Sequence, residues 1–171
     1  YNISPETLQD TRHPSVTVDK ILNEEINFEL YKDTAVCANG SMYRKDKRGF
    51  LPELMDKIYK DRTIYKKKML QAKQDYEKTP TKALEKEIAR CNNIQMARKI
   101  QLNSAYGAIG NQYFRYYKLA NAEAITLSGQ VSIRWIENRM NKYLNKVLKT
   151  EDVDYVIASD TDSIYLNMGP L

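Results

Sequence analysis

The chain has 171 residues, enough for one domain, or parts of two, with a modest core. Lys and Arg outnumber Asp and Glu by 27 to 22, a net charge of +5, and no apolar run approaches a membrane span. Cys37 and Cys91 match no metal-ligand spacing, so no cysteine-based metal module is expected and a reduced, cytoplasmic setting follows.

In chain order, the first 34 residues carry turn signals (Ser4-Pro5-Glu6, His13-Pro14) and a weak helical pattern from Val18 to Tyr31. "AVCANGSMY" then sets Asn39-Gly40 between short apolar runs, which predicts a β-hairpin with a two-residue turn. "RKDKRG" is a second polar turn. Pro52 suits the first turn of a helix running from Leu51 to about Lys78. Thr79-Pro80-Thr81 breaks that pattern, and a second helix is expected from Lys82 to Tyr106, folding back as an antiparallel pair. Gly107, Gly110 and Asn111 end it, and "QYFRYYKLA" reads as extended. Asn121 is the expected cap of a third helix reaching Leu148, with Ile125, Ser128, Ser132, Trp135, Ile136, Tyr143 and Val147 on one face. Trp135 is expected in the core and His13 at the surface. A last hairpin carries "IASDTDSIYLNM". The fold class is α+β: a long-helix pair beside a small antiparallel sheet with a packing helix.

The positive charge is concentrated. Lys57 to Lys99 holds thirteen cations against five acids, which favours a polyanionic partner, nucleic acid or nucleotide. At 100° per residue, Leu51, Leu54, Met55, Ile58, Tyr65 and Met69 share an arc of about a third of a turn. Arg62 and Lys66 fall in the same arc. Long cations snorkelling from an apolar stripe would explain either alone, but two of them one turn apart look like an anion site. On the second helix, Leu84, Ile88, Cys91, Gln95 and Leu102 form a stripe, and Lys99, Asn103 and Tyr106 share a face beside it at i, i+4 and i+7. Gly107 lets another backbone or a base come close. A polar helix end with a glycine stop is the plainer account of this face.

Asp160 and Asp162 stand i and i+2 at the tip of the last hairpin, so on an extended chain both carboxylates leave the same side. Carboxylates so close repel unless a divalent cation neutralises them, and Mg²⁺ prefers such oxygen ligands together with substrate phosphates. An Asp-x-Asp triplet alone is a weak signal, shared by nucleotide-sugar transferases and by turns without chemistry.

Two motifs narrow the choice. "KIQLNSAYGAIGN", Lys99 to Asn111, resembles the K-x-x-x-N-S-x-Y-G fingers signature of the family B (polymerase α-like) DNA polymerases, and "SDTDS", Ser159 to Ser163, resembles their D-T-D-S palm motif. "NISPETL", "YFRYYKLANAEAIT" and "GQVSIRWIENRMNKYLN" resemble the replicative polymerases of T-even-type bacteriophages. The resemblance spans nearly the whole chain.

What it implies can be set out residue by residue. Arg62 and Lys66 would contact the incoming triphosphate; Lys99 would bind its phosphates and serve as acid to the leaving pyrophosphate; Asn103 would face the triphosphate. Tyr106 and Gly107 would pack against the nascent base pair, and Thr161 would lie near the primer end. Asp162 would be the bridging metal ligand, with Asp160 in support, around two Mg²⁺ ions. The implied activity is DNA-directed addition of deoxynucleotides to a primer 3′-hydroxyl. The implied partners are primer-template DNA, deoxynucleoside triphosphates, the missing polymerase segments and a sliding clamp bound through regions absent here, with no membrane. A viral protein in the cytoplasm of the infected host cell is expected.

The implied organisation is palm over 1–50, fingers over 51–106 and palm again over 107–171. The family's other catalytic aspartate, in D-x-x-S-L-Y-P, would precede Tyr1. An excised fragment or a piece of a longer reading frame is therefore expected, inactive when isolated. A catalytically incomplete nucleotide- or nucleic-acid-binding module is the alternative. The fingers also look shorter than in T-even relatives, with a brief break at Thr79 to Thr81.

Overall fold

The computed structural model of the chain describes residues 1–169, so the last two positions of the expected 107–171 segment lie outside the described residues. The fold is α+β. The chain divides into two compact units: one combines Tyr1–Ile3, Thr7–Asp46 and the residues from Ala120 onward, and the other combines Ser4–Glu6 with Lys47–Leu119.

The first unit is built on a three-stranded antiparallel sheet, β1 (Leu8–Arg12), β2 (Thr34–Val36) and β3 (Ser41–Arg44), in the order β1-β3-β2. The expected hairpin is the β2–β3 pair, but its loop has three residues, Ala38 to Gly40, because Cys37 N–H donates to the Ser41 carbonyl at 2.9 Å. Gly40 N–H closes a turn on the Cys37 carbonyl at 2.8 Å and takes φ = 81°, where glycine carries no steric penalty. The helix expected from Val18 to Tyr31 is only α1 (Val18–Leu22), capped by the Thr17 hydroxyl, and a 3₁₀ turn at Glu29–Tyr31. Asn23 ends α1 and Glu24 follows at φ = 59°, so the chain leaves the helix there. His13 is half-buried, edge-on to Tyr31 at 5.2 Å.

The first turns of a long helix, α4 (Leu119–Leu148), pack against the sheet, with Ala124 among Ala35, Cys37 and Tyr43. The helix begins two residues before Asn121, which is therefore no cap: fully buried, Asn121 accepts a 2.8 Å hydrogen bond from the Tyr43 hydroxyl. Asn39 Nδ2 donates to the Ala120 carbonyl and Ala38 N–H to the Ser128 hydroxyl, so the β2–β3 loop and the first turns of α4 interlock. Cys37 sits fully buried there, and desolvation, opposed by the Ser128 hydroxyl, pushes its thiol up to about 11. The face that carries Ile125 to Val147 is not buried along its length, and Trp135 is not in the core as expected. Ser128 is buried, whereas Trp135 is 51% exposed beneath the Arg139 guanidinium, and Ile136, Tyr143 and Val147 are exposed too. The two-stranded hairpin β4 (Val156–Asp160) and β5 (Ser163–Leu166) completes this unit.

The second unit is the antiparallel pair α2 (Phe50–Lys78) and α3 (Lys82–Ile109). The first amides of α2 are capped from a distance. Phe50 N–H donates to Glu6 Oε1 at 2.6 Å, Leu51 N–H to the Ser4 hydroxyl at 3.4 Å, and Pro52 has no amide to satisfy. Burial raises the Glu6 pKa, but the Ser4 and Phe50 hydrogen bonds and Lys47 outweigh it and hold the carboxyl below its ordinary value. The arm ends at Thr79, which the following proline keeps extended, and the Thr81 hydroxyl caps α3 by accepting from Leu84 N–H. α3 runs past Tyr106 to Ile109, so Gly107 lies within the helix and Gly110 is its C-cap. "QYFRYYKLA" is not extended: Asn111 accepts from Tyr113 N–H, and two turns follow, Phe114 to Asn111 and Tyr117 to Phe114.

Candidate functional site

The two arms meet along a seam with alternating steps of four and three. On α2 it is Leu51, Met55, Ile58, Arg62, Tyr65, Met69 and Ala72; on α3 it is Leu84, Ile88, Cys91, Gln95, Arg98, Leu102, Ala105 and Ile109, every one buried or half-buried. This is the heptad rule of a coiled coil. A single partner helix covers a narrower stripe than the arc expected from the sequence, so Leu54 and Lys66 fall outside it and are exposed. Arg62 stays in the seam, half-buried, with its Nε buried and unpartnered.

Counting outward from Pro80, equal steps along the arms oppose Met69 to Cys91, Tyr65 to Gln95, Arg62 to Arg98 and Ile58 to Leu102. The salt bridge between Asp61 and Arg98, 3.5 Å long, lies at that level. It also marks one flank of the pair. The same flank carries Glu87 and Arg90, whose two hydrogen bonds of 2.7 and 2.8 Å bring the Glu87 carboxyl down to about 2.

Lys66, Lys99, Asn103 and Tyr106 step off the seam in the other sense. In an antiparallel pair those steps lead to the same side, so the four share the flank opposite Asp61. Lys99 stands about one residue of rise from the level of Arg62, and Lys66 and Asn103 about one turn to either side, a spread of about 10–15 Å. That suits an extended polyphosphate. All four are exposed. Among the described residues Lys66 and Lys99 make no salt bridge, whereas Arg90 and Arg98 on the other flank are paired. Gly107 lies just beyond, and a Cβ added there would meet nothing within 4 Å.

The acidic tip belongs to the other unit. Asp160 ends β4 opposite Ser163, and Thr161 and Asp162 form the two-residue turn. Thr161 takes φ = 52° and its hydroxyl donates to Asp160 Oδ1 at 2.9 Å. Asp162 therefore lies in the turn, not on the strand. The pleat that would send both carboxylates to one side does not apply. Both acids are exposed. Among the described residues no cluster of three or more His, Cys, Asp or Glu could hold a metal, so the tip offers a pair of carboxylates. Two hard oxygen donors fit a Mg²⁺ ion that takes its remaining ligands from water and substrate phosphates.

Sequence reasoning missed what holds this hairpin. Asn141 and Asn145, one turn apart near the end of α4, bind the loop that leads into β4. Asn145 Nδ2 donates to the Asn141 and Val153 carbonyls, and its Oδ1 accepts from Val153 N–H and the Thr150 hydroxyl. Asn141 Oδ1 accepts from Tyr155 N–H at 2.9 Å, and its Nδ2 donates to Asp154. Tyr155 is buried, its hydroxyl 2.8 Å from that of Thr150. Two asparagines at i, i+4 before a polar loop were the available signal.

The model of DNA polymerase family B matches residues 1–170. The chain is 36% identical over 211 aligned residues to the DNA-directed DNA polymerase of Enterobacteria phage T4, with 96% of this chain and 23% of the relative covered. It is 34% identical to the DNA-directed DNA polymerase of Escherichia phage RB69, covering 97% and 23%, and 30% identical to DNA polymerase 1 of Pyrococcus abyssi, covering 90% and 18%. The chain thus spans about a quarter of the length of these phage relatives, and the 211 aligned residues exceed its own 171, so the relative carries residues without counterpart here. With a match from one end to the other and two phage relatives above 30% identity, this chain belongs to DNA polymerase family B.

Proposed function

We propose that the chain forms the fingers, residues 51–106, and part of the palm, residues 1–50 and 107–171, of a DNA-directed DNA polymerase. The observation that carries this reading is the shared flank of the helix pair, where Lys66, Lys99 and Asn103 stand exposed beside Arg62, and where the two lysines make no salt bridge among the described residues. A row of cations and one amide at steps of a helical turn matches a triphosphate better than it matches a duplex groove. On this reading Arg62, Lys66, Lys99 and Asn103 grip the phosphates of the incoming deoxynucleoside triphosphate. Tyr106 and Gly107 face the nascent base pair, Gly107 because no side chain stands in the way. Thr161 lies near the primer terminus.

The primer 3′-hydroxyl attacks the α-phosphate, and pyrophosphate leaves. The Lys99 ammonium gives a proton to that leaving group, while Arg62 and Lys66 stabilise the charge building on it. Asn103 donates to a phosphate oxygen and fixes the chain of phosphates along the flank. Asp160 and Asp162 would hold divalent metal, Mg²⁺ by their donor type; two such ions when bound supply Lewis acidity to the attacking and leaving oxygens. Positioning and electrostatics, rather than covalent chemistry, supply the rate. Primer-template DNA and deoxynucleoside triphosphates are the partners, and the phage relatives favour a viral protein acting in the cytoplasm of its host.

The test is primer extension by the complete polymerase that carries these residues. Asp162→Asn abolishes extension while triphosphate binding survives. Full activity in that variant would refute the metal assignment.

A further inference from the structure

Arg98 occupies a seam position, where the heptad rule asks for an apolar side chain, and the register sets it across from Arg62. Two guanidiniums in one layer repel each other, and both have a buried Nε without a partner. Packing gives no reason for this layer, since leucines would stabilise the pair better. The surroundings of Arg98 are one-sided. Asp61 holds its Nη2 at 3.5 Å and the Gln101 side chain accepts from Nη1 at 2.9 Å, both on the flank away from Lys66 and Lys99.

We propose that Arg98 is a positioning residue for Arg62. Asp61 and Gln101 anchor the Arg98 guanidinium to one flank, its charge closes that side to Arg62, and the Arg62 guanidinium is left facing the flank of Lys66, Lys99 and Asn103. Asp61 is the key to the arrangement: adjacent to Arg62 in sequence, it would otherwise attract the Arg62 guanidinium to the wrong side, and Arg98 occupies it. The inference rests on the reading of that flank as a triphosphate site and adds to it a device for orienting one of its cations.

The experiment measures the affinity of the full chain for inorganic triphosphate by calorimetry at low salt. Asp61→Asn raises the net charge, so a mere field effect would tighten binding; loss of the anchor instead weakens it, by about threefold. Arg98→Leu raises the melting temperature, because it removes the repulsion between two guanidiniums in one layer, yet weakens triphosphate binding about tenfold. In an Arg62→Ala background, Arg98→Leu changes the affinity by less than about twofold, the mark of two residues acting as a unit. Tighter binding in Asp61→Asn, or an equal loss from Arg98→Leu in both backgrounds, would overturn the positioning role while leaving the triphosphate site standing. If Arg62→Ala and Lys99→Ala both bind triphosphate as the parent does, the site and this inference fall together.

Discussion

Asn145 offers the sharpest test of how the acidic tip is held. Its side chain makes four hydrogen bonds, two through each polar atom; three tie the end of α4 to the loop before β4 and one stays within the helix. A typical bond nets about 0.5–1.5 kcal/mol. Bonds that share one atom are weaker than independent ones, and Val153 is itself exposed, so Asn145→Ala should cost about 2–3 kcal/mol. At about 2–4 °C per kcal/mol for a chain of this size, the melting temperature falls by about 5–10 °C. Asn145→Asp separates the two halves of the clamp. The carboxylate still accepts from Val153 N–H and Thr150, but it turns an oxygen toward the carbonyls of Asn141 and Val153, so it should be no better than alanine. Hydrogen exchange completes the assay. Amides of Val156 to Leu166 lose protection in both variants, while those of α2 and α3 keep theirs. Equal protection of the hairpin in the parent and both variants would refute the claim that this clamp positions Asp160 and Asp162.

Three further outcomes follow from other parts of the chain. Lys99→Ala in the complete polymerase lowers nucleotide incorporation about 10- to 100-fold, the worth of one charge-assisted contact, with primer-template binding unchanged; equal loss of both refutes its role. Gly40→Ala costs at least about 2 kcal/mol in a thermal or urea melt, because φ is 81° and the new Cβ would stand 2.5 Å from the His13 carbonyl oxygen; an unchanged midpoint contradicts this. Glu6→Gln weakens the cap of α2 in a pH-dependent way. The folded-state pKa of Glu6 is lowered, so its contribution is complete above the ordinary 4.5 and disappears as pH falls through the lower value. The urea midpoints of parent and variant therefore differ at pH 7 and converge below 4.5; a gap independent of pH refutes the assignment.

The helix pair was legible because its signals agree: an apolar stripe on each arm, a Thr-Pro-Thr break between them, and a concentration of lysine along both. What misled was width. An amphipathic arc says which residues are apolar, not how many neighbours will cover them, so Lys66 and Leu54 read as inward when one partner helix leaves them in water. The same limit applies to α4, where Trp135 looks like core by composition and is half in solvent. Hydrogen bonds, one distant in sequence and one local, defeated two other readings. Asn121 resembles a cap until its side chain is found bonded to Tyr43, distant in sequence, and the aromatic alternation of "QYFRYYKLA" carries no strand because Asn111 turns the chain at its start. β1 went unseen since its partner, β3, lies more than 28 residues away. For the candidate site, the sequence offers residue types and spacing but not which flank of the helix pair each one takes. The Asp61–Arg98 pair tells the two flanks apart.

A hairpin whose layers are numbered from its own bend can be lengthened without disturbing what lies at its base. Seven residues inserted on each arm beside Thr79–Thr81 would add two layers at the far end and leave every rung from Ala72 down to Leu51 facing the partner it has now. An unequal insertion would instead slide one ladder past the other and carry Lys99 away from Arg62. Natural variation in the reach of this arm should therefore come in matched, whole-heptad increments, with the rungs nearest the base inherited intact.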